Sequence, residues 1–355
     1  MASIIKQLTD EHIVKDIPSY AKDTQYEVIM GSYACGVSND LSDTDVYGFC
    51  IPHKEMIFPH ITGFIKGFDE NTAEHFEQWT ETHIRNKDRM YDFQIYNIVK
   101  YFKLTMDCNP NMIDSLFVGS NCILHATKIG NMVRDKRHLF LSKKAWHRFK
   151  GYAYDQLHNA ENKAFVRLIK FIECNFSDKI SVDSLTKEFF YSEEFDVLVL
   201  NHSKYVDIRH EYIILKDKLK KTDWHSNRVL NIKKFGWDVK FGYHVVRLID
   251  EVKQILAEGD IDLTRNKAQM KAVRAGEMSL EEVKSWFRDQ EKNLEKLYAE
   301  SNIIPYVPRT AEIKELLMNC LEERFGAISK VITREDINAS VYSDIKSMQT
   351  ILSKY

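Results

Sequence analysis

Long apolar runs, paired cysteines and an excess of basic charge are all missing from this sequence. No apolar run approaches the roughly 20 residues of a membrane span, and the first residues lack the apolar core of a signal peptide. We therefore expect a cytoplasmic protein that does not engage a membrane. The six cysteines show no C-x-x-C spacing, which argues against a zinc site or a disulfide framework. The formal net charge of −2 excludes a uniformly basic surface that binds nucleic acid indiscriminately.

Proline is also scarce, with six residues in the chain, and there is neither a low-complexity tract nor an internal repeat. No flexible linker between domains is expected. Single hydrophobic cores stop growing at about 250–300 residues, so we expect a chain of this length to form more than one domain.

The local pattern changes once along the chain, near residue 96. Before that point, short β-type runs are separated by Gly, Pro and Asn turns: residues 26–30, 46–51, 63–68, 75–80 and 90–96. After it, apolar residues recur at helical spacing, and helices are predicted at residues 95–106, 145–157, 241–256, 280–297, 311–324 and 334–353. Ser279 and Glu282 form a predicted capping box at the start of the fourth of these helices.

A Gly-Ser turn and an Asp-x-Asp pair lie close together in the sequence. Gly31 and Ser32 directly follow the apolar run 26–30, and Asp43 and Asp45 come shortly after them. If residues 43–49 are extended, the two carboxylates share one face, because side chains alternate along a strand. Such a pair can bridge two Mg²⁺ ions, and a Gly-Ser backbone can approach phosphates without a Cβ in the way. The alternative is ordinary turn material, which Ser-Asp-Thr-Asp also forms.

The order of these features resembles the signature of the DNA polymerase β nucleotidyltransferase superfamily: a strand, a Gly-Ser turn, a spacer and an Asp-x-Asp pair. The resemblance implies a third carboxylate on a neighbouring strand, and Asp92, in the aromatic run 90–96, is our candidate. The alternative role for Asp92 is the N-cap of the helix that follows. Its competitors as third ligand lie in a more polar stretch: Asp69, Glu70, Glu74 and Glu77.

Later segments resemble the branch of this superfamily found beside RNA-repair enzymes, the RlaP-like branch, which phages and bacteria often encode. An Asn-Pro-x-x-hydrophobic-acid-x-Leu-Phe element stands at residues 109–117, and the similarity extends over about residues 25–295. The resemblance implies an α+β fold, with a small mixed-sheet polymerase-β-type domain followed by a mainly helical domain. We place the nucleotidyltransferase domain at residues 1–125, the helical domain at 126–300 and a C-terminal helical extension at 301–355.

The resemblance also implies a mechanism. Asp43, Asp45 and Asp92 would bind two Mg²⁺ ions, with Mn²⁺ as an alternative, and Gly31 and Ser32 would bind the β and γ phosphates of an NTP. A hydroxyl group would attack the α-phosphate in line, with Asp92 as a further candidate for general base, and pyrophosphate would leave.

Two basic segments are candidates for contact with RNA or phosphate. Residues 128–150 hold eight Lys or Arg and one acid, with Phe140, Trp146 and Phe149 interleaved, while residues 216–234 hold seven Lys or Arg and two acids. Single-stranded RNA is held by such cations and aromatic faces, but a solvated helix face has the same composition. Composition leaves both readings open for the first segment and favours a solvated face for the second. Within the first, Lys143 and Lys144 are the nearest basic candidates for the triphosphate.

His244 and Arg247 are three residues apart on one face of an otherwise apolar predicted helix. A buried cation needs an anionic partner, which is either the substrate or an acidic side chain. The sequence favours a structural pair.

Three functions are compatible with these observations. The favoured one is nucleotidyl transfer to an RNA end, tRNA included, in a bacterial cell or by a phage-encoded enzyme. The alternative is nucleotidylation of a protein or of a small hydroxyl compound, as toxin-type and modifying relatives perform. A catalytically retired scaffold is disfavoured, because the Gly-Ser turn and all three aspartates are present together.

Overall fold

In a computed structural model, residues 3–15, 17–38, 42–62, 76–87, 89–327 and 348 are described. The described strands are β1 Thr24–Ile29, β2 Thr44–Cys50, β3 Gln78–Asn86, β4 Arg89–Asn97 and β5 Ile123–Ala126. They form one mixed sheet in the order β3-β4-β2-β1-β5. The pair β2/β4 is parallel, and the other three pairs are antiparallel.

Helices surround this sheet and make up most of the rest of the described chain. They are α1 Ile4–Asp10, α2 Gly31–Ala34, α3 Lys54–Ile57, α4 Ile98–Met106, α5 Pro110–Phe117, α6 Lys128–Asp135, α7 Lys144–Asn162, α8 Ala164–Phe176, α9 Lys187–Phe190, α10 Glu193–Leu200, α11 Tyr205–Leu219, α12 Asn227–Phe235, α13 Val239–Glu258, α14 Lys267–Arg274, α15 Leu280–Glu300 and α16 Thr310–Phe325.

Apolar side chains cover the sheet on both faces. One face packs on a large core that includes residues of α4–α7 and of α13–α16. The other face, with Val46, Phe93 and Ile95, packs on α1 and the segment after it. Helices α8–α12 enclose a separate small core. All six residues of β1 are buried, so a one-residue slip of this strand would move core side chains to the wrong face.

The α+β fold class predicted from the sequence is confirmed. Strands 26–30, 46–51 and 90–96 correspond to β1, β2 and β4, whereas the run 75–80 marks only the start of the longer β3. The predicted strand 63–68 and the predicted helix 334–353, apart from residue 348, lie outside the described residues. The large core runs from the sheet into α16, and the division at residues 125 and 300 stays a prediction.

The helix predicted to start at residue 95 begins later, at Ile98. Strand β4 continues to Asn97, whose side chain accepts a hydrogen bond from the backbone N–H of Lys100 (2.7 Å) and caps α4. The alternative role of Asp92 as N-cap is therefore wrong, because Asp92 lies inside β4. The predicted capping box of Ser279 and Glu282 at the start of α15 is confirmed.

Glu27 attaches the N-terminal helix to the sheet. This fully buried side chain of β1 accepts hydrogen bonds from the hydroxyls of Ser3 and Thr24 and from the backbone N–H of Ile4 (2.8 Å). Its carboxylate thus satisfies donors at the start of α1 that would otherwise be buried without a partner.

We expect Glu27→Ala to lower the free energy of unfolding by about 1–3 kcal/mol, because it leaves these buried donors unsatisfied. Urea denaturation measures the change. The control Glu11→Ala removes an exposed carboxylate of the same segment and should change stability by less than about 0.5 kcal/mol. Equal stability of the two variants would contradict the anchoring role of Glu27.

Candidate active site

Two carboxylates face each other across the parallel pair of strands. In the register of β2 with β4, Asp45 lies opposite Asp92. Asp43 precedes β2 by one residue and is exposed, while Asp45 and Asp92 are half-buried. All three side chains line one cleft. Parallel strands place the residues opposite each other on the same face of the sheet, so the pairing itself brings the carboxylates together.

The Gly-Ser turn lies directly over one of these carboxylates. Helix α2 begins at Gly31, immediately after β1, and the backbone N–H of Met30 donates to the backbone oxygen of Asp45 (2.8 Å). Gly31 has a φ of +64°, and a Cβ at this position would lie 2.2 Å from Oδ2 of Asp45. Both the backbone conformation and the close approach require glycine here.

A bulge in β3 holds the third carboxylate. The register of β3 with β4 shifts between Glu81 and Ile84, and His83, inside the bulge, has a φ of +61°. The backbone N–H of His83 donates a 2.7 Å hydrogen bond to Oδ1 of Asp92. Bulges often redirect a side chain towards a site. In this bulge it is the backbone N–H of His83 that points to the site, where it contacts Asp92.

The cleft has a volume of about 800 Å³ and lies between the sheet and helices α12–α14. Its sheet side carries the Gly-Ser turn and the three aspartates. Its helical side carries five cations: Arg228, Lys240, Arg247, Lys271 and Arg274. The walls of the cleft therefore have opposite charge.

Several of these cations are fixed by neighbouring groups. Arg228 donates from Nε to Oδ2 of Asp238 (2.7 Å). Arg274 donates to the backbone oxygen of Val37 (2.6 Å), just after the Gly-Ser turn, and its guanidinium lies 5.2 Å from the centre of the Tyr243 ring. Lys240 and Lys271 are exposed, so their ammonium groups are hydrated before a ligand arrives.

The electrostatics of the two walls follow from these positions. Burial, together with the charges of Asp92 and Asp43, raises the pKa of Asp45 from 3.8 to about 6. On the opposite wall, removal from water and the nearby cations, Arg247 first, hold the pKa of His244 well below its ordinary value. His244 is therefore neutral at physiological pH and adds no charge to its wall.

The chemistry of the acidic wall fits divalent metal ions. Hard cations prefer carboxylate oxygens, and the mutual repulsion that raises the pKa of Asp45 is relieved when a cation lies between the aspartates. The three aspartates do not form a closed ligand cluster, and the described residues contain no group of three or more His, Cys, Asp or Glu side chains placed to hold a metal ion. Substrate oxygens would have to complete the coordination.

The structure brings five of the seven candidate site residues together at this cleft: Gly31, Ser32, Asp43, Asp45 and Asp92. Among the competitors of Asp92, Glu77 is exposed and pairs with Lys100 (2.7 Å). Asp69, Glu70 and Glu74 lie outside the described residues.

Lys143 and Lys144 do not line the cleft, so their placement does not support the expected contact with the triphosphate. Lys143 is only 1% exposed; its Nζ donates to the backbone oxygen of Tyr298 (2.8 Å) and lies 4.0 Å from the centre of the Tyr306 ring. Lys144 pairs with Asp107. Both lysines are used in packing the helices.

Three of the eight cations of the basic segment 128–150 form ion pairs within the fold, and Lys143 is buried, whereas Lys136 and Arg148 are exposed. Lys128 pairs with Glu323, Lys150 with Glu291 and Glu295, and Arg134 donates to backbone oxygens. The interleaved aromatic side chains are buried in the core: Phe140, Trp146 and Phe149. They cannot stack on unpaired bases, so this segment has the properties of a structural helix surface.

Arg228 lies in the basic segment 216–234, for which composition favours a solvated face, but in the structure it lines the cleft. Sequence analysis did not identify Lys240, Lys271 and Arg274. Their signal is helical spacing, because Lys240, His244 and Arg247 follow one another at four and three residues, as do Lys267, Lys271 and Arg274. That spacing identifies a shared face but does not show that two helices turn this face to the same cleft.

No helix in the described ranges is both long enough and apolar enough to cross a membrane. Significant similarity was found neither to a curated protein nor to a solved structure. The sequence profile of the RNA repair pathway DNA polymerase beta family (RlaP) matches residues 5–304, which include the whole sheet and every residue that lines the cleft. The chain therefore belongs to the RNA repair pathway DNA polymerase beta family, which is a family of nucleotidyltransferases.

Proposed function

We propose that this protein transfers a nucleoside monophosphate from an NTP to a hydroxyl group at an RNA end, tRNA included, and that the reaction requires divalent metal ions. One observation carries the proposal: Asp45 lies opposite Asp92 on parallel strands and directly under the Gly31 turn. The arrangement supports the proposal because hard cations prefer carboxylate oxygens and phosphates can approach a backbone that lacks a Cβ.

In this proposal Asp43, Asp45 and Asp92 would hold the metal ions, which when bound would lower the pKa of the attacking hydroxyl and neutralise phosphate charge. Gly31 and Ser32 orient the β and γ phosphates. Asp92, whose Oδ1 is fixed by the amide of His83, takes the proton of the acceptor hydroxyl. The oxygen then attacks the α-phosphorus in line, and pyrophosphate leaves.

Nucleotidylation of a protein or of a small hydroxyl compound remains the second candidate. The observation that favours it is the burial of Phe140, Trp146 and Phe149, which leaves segment 128–150 without the aromatic faces expected to stack on RNA bases. Incubation with each labelled NTP, Mg²⁺ and either purified RNA or an RNase-treated extract separates the two acceptors. Label in RNA supports the first candidate, and label only in protein or small molecules supports the second.

Asp45→Asn removes a charged metal ligand without changing side-chain volume. We expect kcat/KM for nucleotidyl transfer to fall by more than about a hundredfold, because loss of groups that merely orient metal ligands already costs about 10–100-fold. The circular dichroism spectrum should not change. Asp178→Asn, at an exposed position away from the cleft, is the matched control and should retain activity. Full activity of the Asp45 variant would refute the assignment.

The same substitution should stabilise the metal-free protein above pH 6. Because the folded-state pKa of Asp45 is raised to about 6, the folded protein binds this proton more tightly than the unfolded chain does. Wild-type stability therefore falls as pH rises from about 4 to about 6, and Asp45→Asn removes that loss.

At pH 7.5 in EDTA we expect the free energy of unfolding of the variant to exceed that of wild type by on the order of 1–2 kcal/mol, after allowance for solvent screening. Below about pH 4 the two free energies should be equal. Thermal denaturation at several pH values measures the difference. Added Mg²⁺ should stabilise wild type and leave the variant unchanged. A difference that does not depend on pH would show that Asp45 titrates normally.

Gly31→Ala tests the close approach of the turn to the carboxylate. The new Cβ would displace Asp45, so we expect at least a tenfold loss of activity, with a stability loss of about 1–2 kcal/mol from the left-handed backbone. Gly236→Ala is a matched control, because its φ is +75° but a Cβ there meets no atom within 4 Å. The control should show the backbone cost alone. Equal activities of the two variants would exclude displacement of Asp45.

A further inference from the structure

Arg247 is buried and yet lines the cleft. Its side chain, on α13, is only 8% exposed, and its Nη1 lies 2.9 Å from Oδ2 of Asp114 on α5. Its Nε lies 3.6 Å from Oε1 of Glu251, one turn further along α13. Asp114 is the acidic residue of the Asn-Pro element at residues 109–117. The expected structural partner of Arg247 therefore exists.

This arrangement does more than satisfy a buried charge. The acidic side chains of Asp114 and Glu251 surround one guanidinium. Their oxygens, and Nε of Arg247, are buried without a well-formed hydrogen bond. A buried ionic triad of this kind is no more stabilising than well-packed apolar side chains of similar volume, so stability alone does not account for it. What the triad does provide is a guanidinium held in one place at the wall of the cleft.

The position of Arg247 relates it to the reacting groups. Arg247 lines the same cleft as Asp45, from the helical side. Asn111, which also lines the cleft, accepts a long hydrogen bond of 3.5 Å from Nη2 of Arg247. The guanidinium therefore belongs to the cationic wall of the cleft, where it contacts Asp114 and Asn111 of α5.

We propose that Arg247 binds the polyphosphate of the substrate, and that Asp114 and Glu251 are positioning residues which hold its guanidinium ready for this contact. A ligand that spans both walls has to coordinate metal ions on one side and neutralise several cations on the other. Polyphosphate meets both requirements, and a guanidinium matches phosphate oxygens with two parallel hydrogen bonds. The inference rests on the proposed function in taking an NTP as the carrier of this polyphosphate.

The neighbouring cations complete this site in different ways. Lys271 and Lys240 are exposed and reach the ligand from hydrated positions, whereas Arg274 is already held by Val37 and Tyr243. Arg228 is paired with Asp238. Arg247 differs from them because its own side chain is buried, at 8% exposed, and has two buried acidic neighbours, so it defines where the polyphosphate lies.

The decisive variant replaces the whole triad with apolar side chains, as Arg247→Met, Asp114→Val and Glu251→Leu together. This change leaves no buried charge unpaired, so the fold should persist with an unchanged or higher melting temperature. Binding of inorganic tripolyphosphate, measured by calorimetry with excess Mg²⁺, should weaken by about 10–100-fold, the range for lost hydrogen bonds to a charged group. KM for NTP should rise more than kcat falls.

The matched control removes a surface ion pair from the end of the same helix. Arg265 and Glu258 form a bidentate ion pair. The double variant Arg265→Met, Glu258→Leu should bind tripolyphosphate with wild-type affinity. A triad variant that is folded and binds tripolyphosphate with wild-type affinity would overturn the proposal and leave Arg247 a purely structural residue.

If the triad variant does not fold, Arg247→Lys decides the question. It keeps the buried positive charge beside Asp114 but loses the planar fork, so a several-fold loss of tripolyphosphate affinity supports the proposal. Unchanged affinity in a folded Arg247→Lys protein overturns it.

The binding measurement requires no acceptor and no turnover. If tripolyphosphate binding depends on Arg247 but no acceptor is nucleotidylated, the proposed function fails and this inference stands. If Asp45→Asn abolishes transfer while the triad variant binds tripolyphosphate normally, the inference fails and the proposed function stands.

Discussion

The parallel pairing of β2 with β4 is the constraint on which the rest of the site depends. It sets Asp45 opposite Asp92, and the antiparallel pairing of β1 with β2 carries the Gly31 turn over the same carboxylate. A slip of one residue in either pair would turn these side chains to the opposite face. The complete burial of β1 makes such a slip costly, because apolar cores cover both faces of the sheet.

Features that depend on short stretches of chain were predictable. Strand alternation predicted that Asp43 and Asp45 share a face, and the expected approach of phosphates predicted a residue without Cβ at Gly31. The contact with Asp45 is a further reason for glycine that the sequence did not indicate. The competing roles of Asp92 could not be separated by the same reasoning. The extent of β4 excludes the role of cap, and strand ends are poorly marked when an aromatic strand runs directly into an apolar helix, as it does at Asn97.

Features that depend on packing between distant segments were not predictable. Composition could not distinguish the buried Lys143 from a surface lysine, because the aromatic side chains that enclose it, Tyr298 and Tyr306, lie some 150 residues further along the chain. The cationic wall has the same origin. Arg228 and Arg274 come from separate helices, and tertiary packing alone directs them to one cleft.

The contact between Arg274 and the backbone oxygen of Val37 joins residues 237 positions apart. Ribosomes build a chain from its N-terminus, and domains fold as their residues emerge. The strands that carry the aspartates are thus synthesised long before the helices that supply the opposite wall. A nascent chain that ends before α13 has only Arg228 of the five cleft cations, so the cleft is not enclosed. The cleft can therefore be completed only after α14 has been synthesised.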